Sequence, residues 1–210
     1  MGGREPCPHV APGVGAAAYS TFMQQIKGAV LKSRIAFVQE RFGDAGMRQV
    51  RASLSAEDQS ALNKILTVGW YSFDLAKRLD DAIVAVCGNG DPALFKQLGA
   101  SSADKNLSTL HKAFLTPGNP HAFLGRARTI YALYYETGHR EYKRTGDTSG
   151  VLTTYDADTF SSTDCQTVIG WYERALEMCG AREVRIEEEE CRATGGATCR
   201  YNVSWGTAAR

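Results

Sequence analysis

The sequence predicts an α+β fold in which N-terminal helices are followed by a β-β-α-β-β unit with a four-stranded antiparallel sheet. Two observations support this class. Up to Gly138, apolar residues recur at spacings typical of one face of a helix. After Gly138, apolar and polar residues alternate in two pairs of short segments that flank one further helical stretch. A chain of 210 residues is long enough to bury a substantial core.

The first predicted helix carries a regular apolar stripe. It consists of Leu31, Ile35, Val38 and Phe42, and Gly43 is expected to end the helix. Further helical segments are expected before the sheet unit. They are a helix capped by Ser55, a helix over 72–87, a shorter helix that holds Leu107, Leu110 and Phe114, and a helix after Pro120.

Two hairpins and one helix make up the predicted sheet unit. The first hairpin joins REYKRT to VLTTYD through a polar turn that contains glycine. The second hairpin joins EVRIEEEEC to CRYNVSW, again through a glycine-containing turn. The helix between the hairpins is expected to run from about Thr163 to Cys179, where Gly180 ends it.

Composition and charge narrow the class of protein. Hydrophobic residues make up 43% of the chain and charged residues 22%, as in ordinary globular proteins. The net charge of +1 provides no general attraction to nucleic acid or to an anionic membrane, and no apolar run is long enough to cross a bilayer. Residues 1–20 are rich in Gly, Pro and Ala and are expected to be disordered, which leaves 21–206 as a single domain. Since no secretory signal is recognisable, we expect a cytoplasmic location.

The second hairpin is expected to bring a glutamate close to a cysteine. If Glu190 pairs with Cys199, then Glu188 lies opposite Tyr201 and diagonally next to Cys199. The other residues on this face are apolar, so the face should point at the core. A lone buried carboxylate costs several kcal/mol unless another group compensates its charge, and a divalent cation would do so.

Four residues that lie far apart in the chain are therefore candidate metal ligands: Cys165, Glu188, Cys191 and Cys199. In a reducing compartment, neighbouring thiols favour a metal over a disulfide. Cys165 lies in the first turn of its helix, where the helix dipole favours a thiolate. Three sulfurs and one oxygen would complete a tetrahedral zinc site, which is structural because it has no open position. The alternatives are that the cysteines are ordinary core residues and that the glutamates form a solvated run of charge.

These residues also carry a resemblance to a known family, the 4-vinyl reductase-like domain. The matching segments are CQTVIGWYERAL, which begins at Cys165, and EEECRATGGATCRY, which begins at Glu188. The best-described members are sensory domains of phenol- and toluene-responsive bacterial activators, in which a Cys, Glu, Cys, Cys set binds zinc. The resemblance implies a structural zinc ion, a small-molecule pocket between helices and sheet, and a homodimer. The fold is shared in outline with haem-based nitric-oxide sensors and with subunits of vesicle-tethering complexes.

Aromatic side chains are expected to form the wall of this pocket, which would suit a small apolar or aromatic ligand. The candidate lining residues are Trp70, Phe73, His111, Phe114, Tyr131, Tyr134 and Trp171. For each of these residues, an ordinary position in the core is the alternative.

The leading functional hypothesis is a stand-alone sensory or regulatory domain that zinc stabilises and that binds a small apolar or aromatic ligand. One alternative is a protein-interaction or dimerisation module of the same fold without a specific ligand. Another is a haem gas sensor with His111 as axial ligand, although the Y-x-S-x-R motif of such sensors is missing here. No motif of a known catalytic class is recognisable, so we do not expect an enzyme, and we expect neither nucleic acid nor membrane as a direct partner.

Overall fold

Helices dominate the first half of the chain and an antiparallel sheet the second half, which confirms the predicted α+β class. The computed structural model describes residues 24–109 and 111–206. The predicted disordered extension at 1–20 lies outside the described residues, as does Leu110. Among the described residues, none belongs to a helix that is long and apolar enough to span a membrane.

Three helices and two short strands form the N-terminal part. The helices are α1 (Gly28–Ala52), α2 (Ala56–Asn63) and α3 (Phe73–Cys87), and the strands are β1 (Gln25–Lys27) and β2 (Trp70–Ser72). The two strands pair with each other in antiparallel orientation. The predicted cap of α2 is confirmed, because the Ser55 hydroxyl accepts a hydrogen bond of 3.1 Å from the Asp58 backbone N–H.

Gly43 divides α1 into two helical segments. Its backbone has φ 65° and ψ −171°, which glycine adopts without a steric penalty, and the helix then resumes. Met47 and Val50 lie in the second half of α1, and both are buried. The first helical segment therefore ends at Gly43, as predicted, and burial of Met47 and Val50 favours a second helical segment after the kink.

Three further helices precede the large sheet. They are α4 (Leu94–Ser108), α5 (Pro120–Leu124) and α6 (Ala127–Ala132). The predicted short helix around Leu107 and Phe114 was wrong in extent, since α4 begins thirteen residues before Leu107 and Phe114 lies in a separate 3₁₀ turn. Small residues such as Gly99 and Ala103 build much of the buried face of α4, so its apolar periodicity is weak.

The four-stranded sheet agrees with the predicted β-β-α-β-β unit. Its strands are β3 (His139–Arg144), β4 (Ser149–Tyr155), β5 (Arg182–Glu190) and β6 (Cys199–Gly206). They are all antiparallel and follow the spatial order β3-β4-β6-β5. The helix α7 (Ser162–Met178) lies between the two hairpins in the chain and packs against β5.

The buried residues form two apolar cores. The sheet core consists of residues from α7, the inner face of the large sheet and the segment Ala103–Ile130. The helical core lies between α1, α2, α3 and the first half of α4. Because α4 contributes Phe95 and Leu98 to the helical core and Leu107 to the sheet core, it joins the two.

Candidate metal centre and neighbouring cavity

Three elements bring the four predicted metal ligands together. Cys165 lies in the first turn of α7, Glu188 on β5, Cys191 directly after β5, and Cys199 at the start of β6. One ligand atom from each residue lies within 4.8 Å of the others. The three cysteines are buried and Glu188 is half-buried, so the cluster lies at the edge of the sheet core.

The second hairpin has the predicted register at the glutamate but not at its end. Glu188 lies opposite Tyr201, as expected, but Glu190 pairs with Arg200 and not with Cys199. The expected Glu190–Cys199 pair was wrong because the strand has an irregularity after Glu188. The Glu190 carboxylate folds back over the turn and accepts hydrogen bonds from the backbone of Ala197 and Thr198.

The sulfur distances suit a single tetrahedral ion. The Cys165 Sγ lies 3.4 Å from the Cys191 Sγ and 3.8 Å from the Cys199 Sγ. Two thiolates on one zinc ion, each at about 2.3 Å, are separated by about 3.8 Å in a tetrahedral arrangement. The cluster can therefore hold a metal ion with little movement of its side chains.

The polar environment of the cluster also favours a cation. Glu188 Oε1 is buried and has no hydrogen-bond partner among the described residues. A buried carboxylate oxygen without a donor or a cation beside it is unfavourable. The Arg192 backbone N–H donates to the Cys199 sulfur at 3.4 Å, which favours a thiolate there. A divalent cation would compensate both groups at once.

The thiols interact strongly with one another. The hydrogen bond with Cys199 and burial raise the pKa of Cys165, whereas the hydrogen bond from Cys165 lowers the pKa of Cys199 to about 7. Burial raises the pKa of Cys191. Three thiolates cannot coexist at this spacing without a compensating charge, and cysteine binds metal as the thiolate.

A small cavity lies beside α7, between α1, α4, α6 and β3. Its volume is about 60 Å³, which is room for roughly four water molecules. Aliphatic and aromatic side chains form most of its wall, together with two arginines and several hydroxyl and amide groups. The lining residues include Val30, Ile130, Val168, Trp171 and Tyr172, and the arginines Arg34 and Arg140.

The structure brings three of the seven predicted ligand-binding residues to this cavity, namely Tyr131, Tyr134 and Trp171. The other four lie elsewhere. Phe73 is 2% exposed in the helical core, and Trp70 is 37% exposed with the Lys27 ammonium 4.2 Å from the centre of its ring. His111 and Phe114 follow α4 and contact each other, and the His111 ring also contacts the ring of Tyr134, which lines the cavity.

Sequence reasoning missed the charged residues of the cavity. Arg34 and Arg140 are fully or almost fully buried, whereas arginine in a sequence usually indicates the surface. A signal for Arg140 was available in the alternation of β3, since the position lies on the inward-facing side of the strand. No local pattern identifies Arg34, because its partner Asp80 lies 46 residues away.

Solved structures with a similar fold are H-NOX proteins. The unliganded Fe(II) H-NOX protein from K. algicida is 12% identical, with a TM-score of 0.67 over 88% of this chain and 98% of that one. The H-NOX protein from S. oneidensis in the Fe(II)NO ligation state is also 12% identical, with a TM-score of 0.64 over 86% of this chain and 99% of that one. At this identity the likeness shows the fold alone.

The residues around the cavity do not fit a haem, the group that a solved structure names for the H-NOX family. No histidine, cysteine or methionine is among the described residues that line it, and His111 lies outside the lining. Tyrosine can ligate haem iron as the phenolate, but burial raises the pKa of Tyr131 to about 12 and raises the pKa of Tyr134 as well. A cavity of about 60 Å³ also leaves no room for a macrocycle between the aromatic rings.

Sequence comparisons assign the family. No curated protein matches the chain significantly. A family model, described as a protein of unknown function (DUF2378), matches residues 85–206, which is more than half of the chain. The matched region includes α4, α7, the large sheet and all four candidate ligands. The resemblance to the 4-vinyl reductase-like domain stays a prediction, because the matching model describes a different family. The chain belongs to the DUF2378 family.

Proposed function

We propose that this protein is a small-molecule-binding sensory or regulatory domain that a structural zinc ion stabilises, and that it is not an enzyme. The observation that carries the proposal is the position of α7. Its first turn provides Cys165 to the metal cluster, and its next two turns provide Val168, Trp171 and Tyr172 to the cavity. A ligand that shifts α7 would therefore act on the same helix that the metal holds in place.

The donor set supports zinc as the ion. Three sulfurs and one carboxylate match the soft and borderline ligands that zinc accepts in tetrahedral sites. Four protein ligands leave no position for water or substrate, so the ion would have a structural role. The similarity to the H-NOX fold supports a sensory role, since the H-NOX protein from S. oneidensis is described with NO bound to its iron. A cytoplasmic location, where thiols stay reduced, is consistent with this proposal.

Elemental analysis and native mass spectrometry of the purified chain test the proposal together. We expect one zinc ion per chain and an additional mass for any ligand that is retained in the cavity. Cys191→Ala should lose the zinc and unfold at a lower temperature, because the binding energy of the metal contributes to folding. Cys179→Ala is the matched control, since Cys179 is a fully buried cysteine of the same core outside the cluster.

The two variants separate a metal role from simple packing. Each removes one buried sulfur, so both should lose some stability. Only Cys191→Ala should lose zinc, and only its stability should become insensitive to a chelator. If wild type contains no metal, or if both variants respond equally to a chelator, the zinc part of the proposal is wrong.

A second candidate function is a dimerisation or interaction module, and one surface favours it. Leu66 and Val68 are 64% and 76% exposed in the loop before β2, next to the half-exposed Trp70. Exposed apolar residues that lie together often mark an interface. We propose a homodimer that uses this loop, so Leu66→Ser with Val68→Ser should convert a dimer to a monomer in native mass spectrometry. A wild-type monomer would contradict this candidate.

A further inference from the structure

The two arginines that line the cavity have very different surroundings. Arg34 binds the Asp80 carboxylate through two nitrogens and lies 3.5 Å from the Asp164 carboxylate. No carboxylate among the described residues lies within 4.0 Å of the Arg140 guanidinium. One buried cation of the cavity therefore has a direct carboxylate partner, and the other has none among the described residues.

Arg140 is held in place by neutral groups. Its Nε donates a hydrogen bond of 2.9 Å to the hydroxyl of Thr154, which is its partner across the β3–β4 pair. Its guanidinium carbon lies 5.1 Å from the ring centre of Tyr131 and 5.6 Å from that of Tyr172. Aromatic faces attract a cation, but they provide no acceptor for the remaining N–H groups.

A carboxylate that interacts with Arg140 at longer range, Asp164, is already engaged. Asp164 accepts a hydrogen bond from the Tyr135 hydroxyl at 2.9 Å and pairs with Arg34. It compensates Arg140 only at longer range, because the separation exceeds the distance of a direct ion pair. A buried arginine without a direct partner is costly, so a ligand that supplies the missing acceptor would stabilise it.

A second donor, the Tyr172 hydroxyl, lies next to Arg140, and no group among the described residues accepts its proton in a hydrogen bond. The Tyr172 hydroxyl is buried without a well-formed hydrogen bond, and Tyr172 as a whole is 1% exposed on the cavity wall. Its phenol stays protonated, because burial raises its pKa. Arg140 and Tyr172 thus present N–H and O–H donors on one side of the cavity, while Val168 and Ile130 provide apolar wall.

We propose that the cavity binds a small organic monocarboxylate, whose carboxylate accepts hydrogen bonds from Arg140 and Tyr172 and whose hydrocarbon part contacts Val168 and Trp171. This inference rests on the proposed function, because it specifies the ligand of the same cavity. A guanidinium binds a carboxylate through two parallel hydrogen bonds. One cation without a direct carboxylate partner matches a single negative charge, and the volume of about 60 Å³ matches a short chain or, with modest movement of the aromatic walls, one ring.

Binding of matched acid and amide pairs to the metal-loaded protein tests whether the ligand must carry a negative charge. The pairs are propionate with propionamide and benzoate with benzamide, measured by isothermal titration calorimetry. Acid and amide have nearly the same shape, so their difference reports the charge. In at least one pair we expect the acid to bind at least about tenfold more tightly than the amide.

Variants then assign the preference to one residue. Arg140→Met should remove the preference for the acid, and Arg140→Lys should retain only part of it, since an ammonium lacks the planar fork of the guanidinium. Arg144→Met is the matched control, because Arg144 lies on the same strand but is exposed and pairs with Asp147. Zinc content, measured in parallel, shows whether each variant keeps its metal cluster.

The outcomes separate this inference from the proposed function. If the amides bind as tightly as the acids, the cavity is a ligand site but the carboxylate inference is overturned. If the preference persists in Arg140→Met, the assignment to Arg140 is overturned. If none of the four probes binds, the carboxylate inference is overturned, whereas the proposed function is decided separately by the zinc content and the retained ligand mass in native mass spectrometry. If Arg140→Met does not fold, the wild-type pairs and Arg140→Lys still decide the question.

Discussion

Arg34 joins three helices through buried polar contacts. It lies on α1 and binds Asp80 on α3, with 3.0 Å between Nη2 and Oδ2. Asp80 also accepts a hydrogen bond of 3.1 Å from the Thr163 hydroxyl at the start of α7. Burial raises the pKa of Asp80, and the Arg34 guanidinium counteracts this effect. The ion pair therefore keeps a charged carboxylate in a place where a lone carboxylate would be unfavourable.

Replacement of Arg34 should destabilise the protein strongly. Arg34→Met leaves Asp80 buried without its main partner, for which we expect a loss of about 3–5 kcal/mol in the free energy of unfolding. Urea unfolding monitored by tryptophan fluorescence measures the loss. Arg174→Met is the control, because the side chains of Arg174 and of its partner Asp104 are 40% and 51% exposed, and such a pair contributes about 1 kcal/mol or less. Similar losses in both variants would show that the buried pair has no special role.

The contact between α4 and α7 depends on glycine at two positions. A Cβ atom on Gly99 would overlap the backbone oxygen of Thr167, and a Cβ atom on Gly170 would overlap the backbone oxygen of Lys96. The two helices can approach this closely only because neither position carries a side chain. The close contact sets the position of α7, and with it the position of both Cys165 and the cavity wall.

Gly170→Ala should push α7 away from α4. Because the added methyl group meets backbone and not a flexible side chain, we expect a loss of about 3 kcal/mol and a drop in the melting temperature of roughly 6–12 °C. Circular dichroism melting measures both quantities. Gly125→Ala is the control: Gly125 has φ −59° and its nearest neighbour would be 3.4 Å from the new Cβ. A tolerated Gly170→Ala would mean that the helix pair adjusts easily.

The sequence predicted the second half of the molecule better than the first. Strands β5 and β6 alternate regularly, and this alternation correctly placed Glu188 opposite Tyr201. The extent of α4 was missed because its buried face includes small residues. Small residues give no clear apolar stripe in the sequence, and they are buried here because another helix packs closely against them. The cavity was predicted from its aromatic residues but not from Arg140, because burial of an arginine depends on neighbours from distant parts of the chain.

At the scale of the whole molecule, the candidate metal ligands and the helices α1–α3 belong to different cores. All four candidate ligands lie in or beside the sheet core, between α7 and the second hairpin. The helical core consists of apolar residues from α1–α4 and contains none of the candidate ligands. The contacts of Arg34 and Asp80 with the start of α7, together with α4, connect the two cores. A bound ion should therefore stabilise mainly the sheet core and affect the helical core only through these connections.

Removal of the metal should therefore loosen one core more than the other. After treatment with a chelator under reducing conditions, we expect faster amide hydrogen exchange in β5, in β6 and in the first turn of α7, with little change in α1 and α3. Hydrogen exchange with mass spectrometry compares the segments, and re-addition of zinc should restore protection. Cys191→Ala should show the same pattern without a chelator. Equal acceleration in both cores would mean that they unfold as one unit, and no acceleration would remove the structural role of the ion.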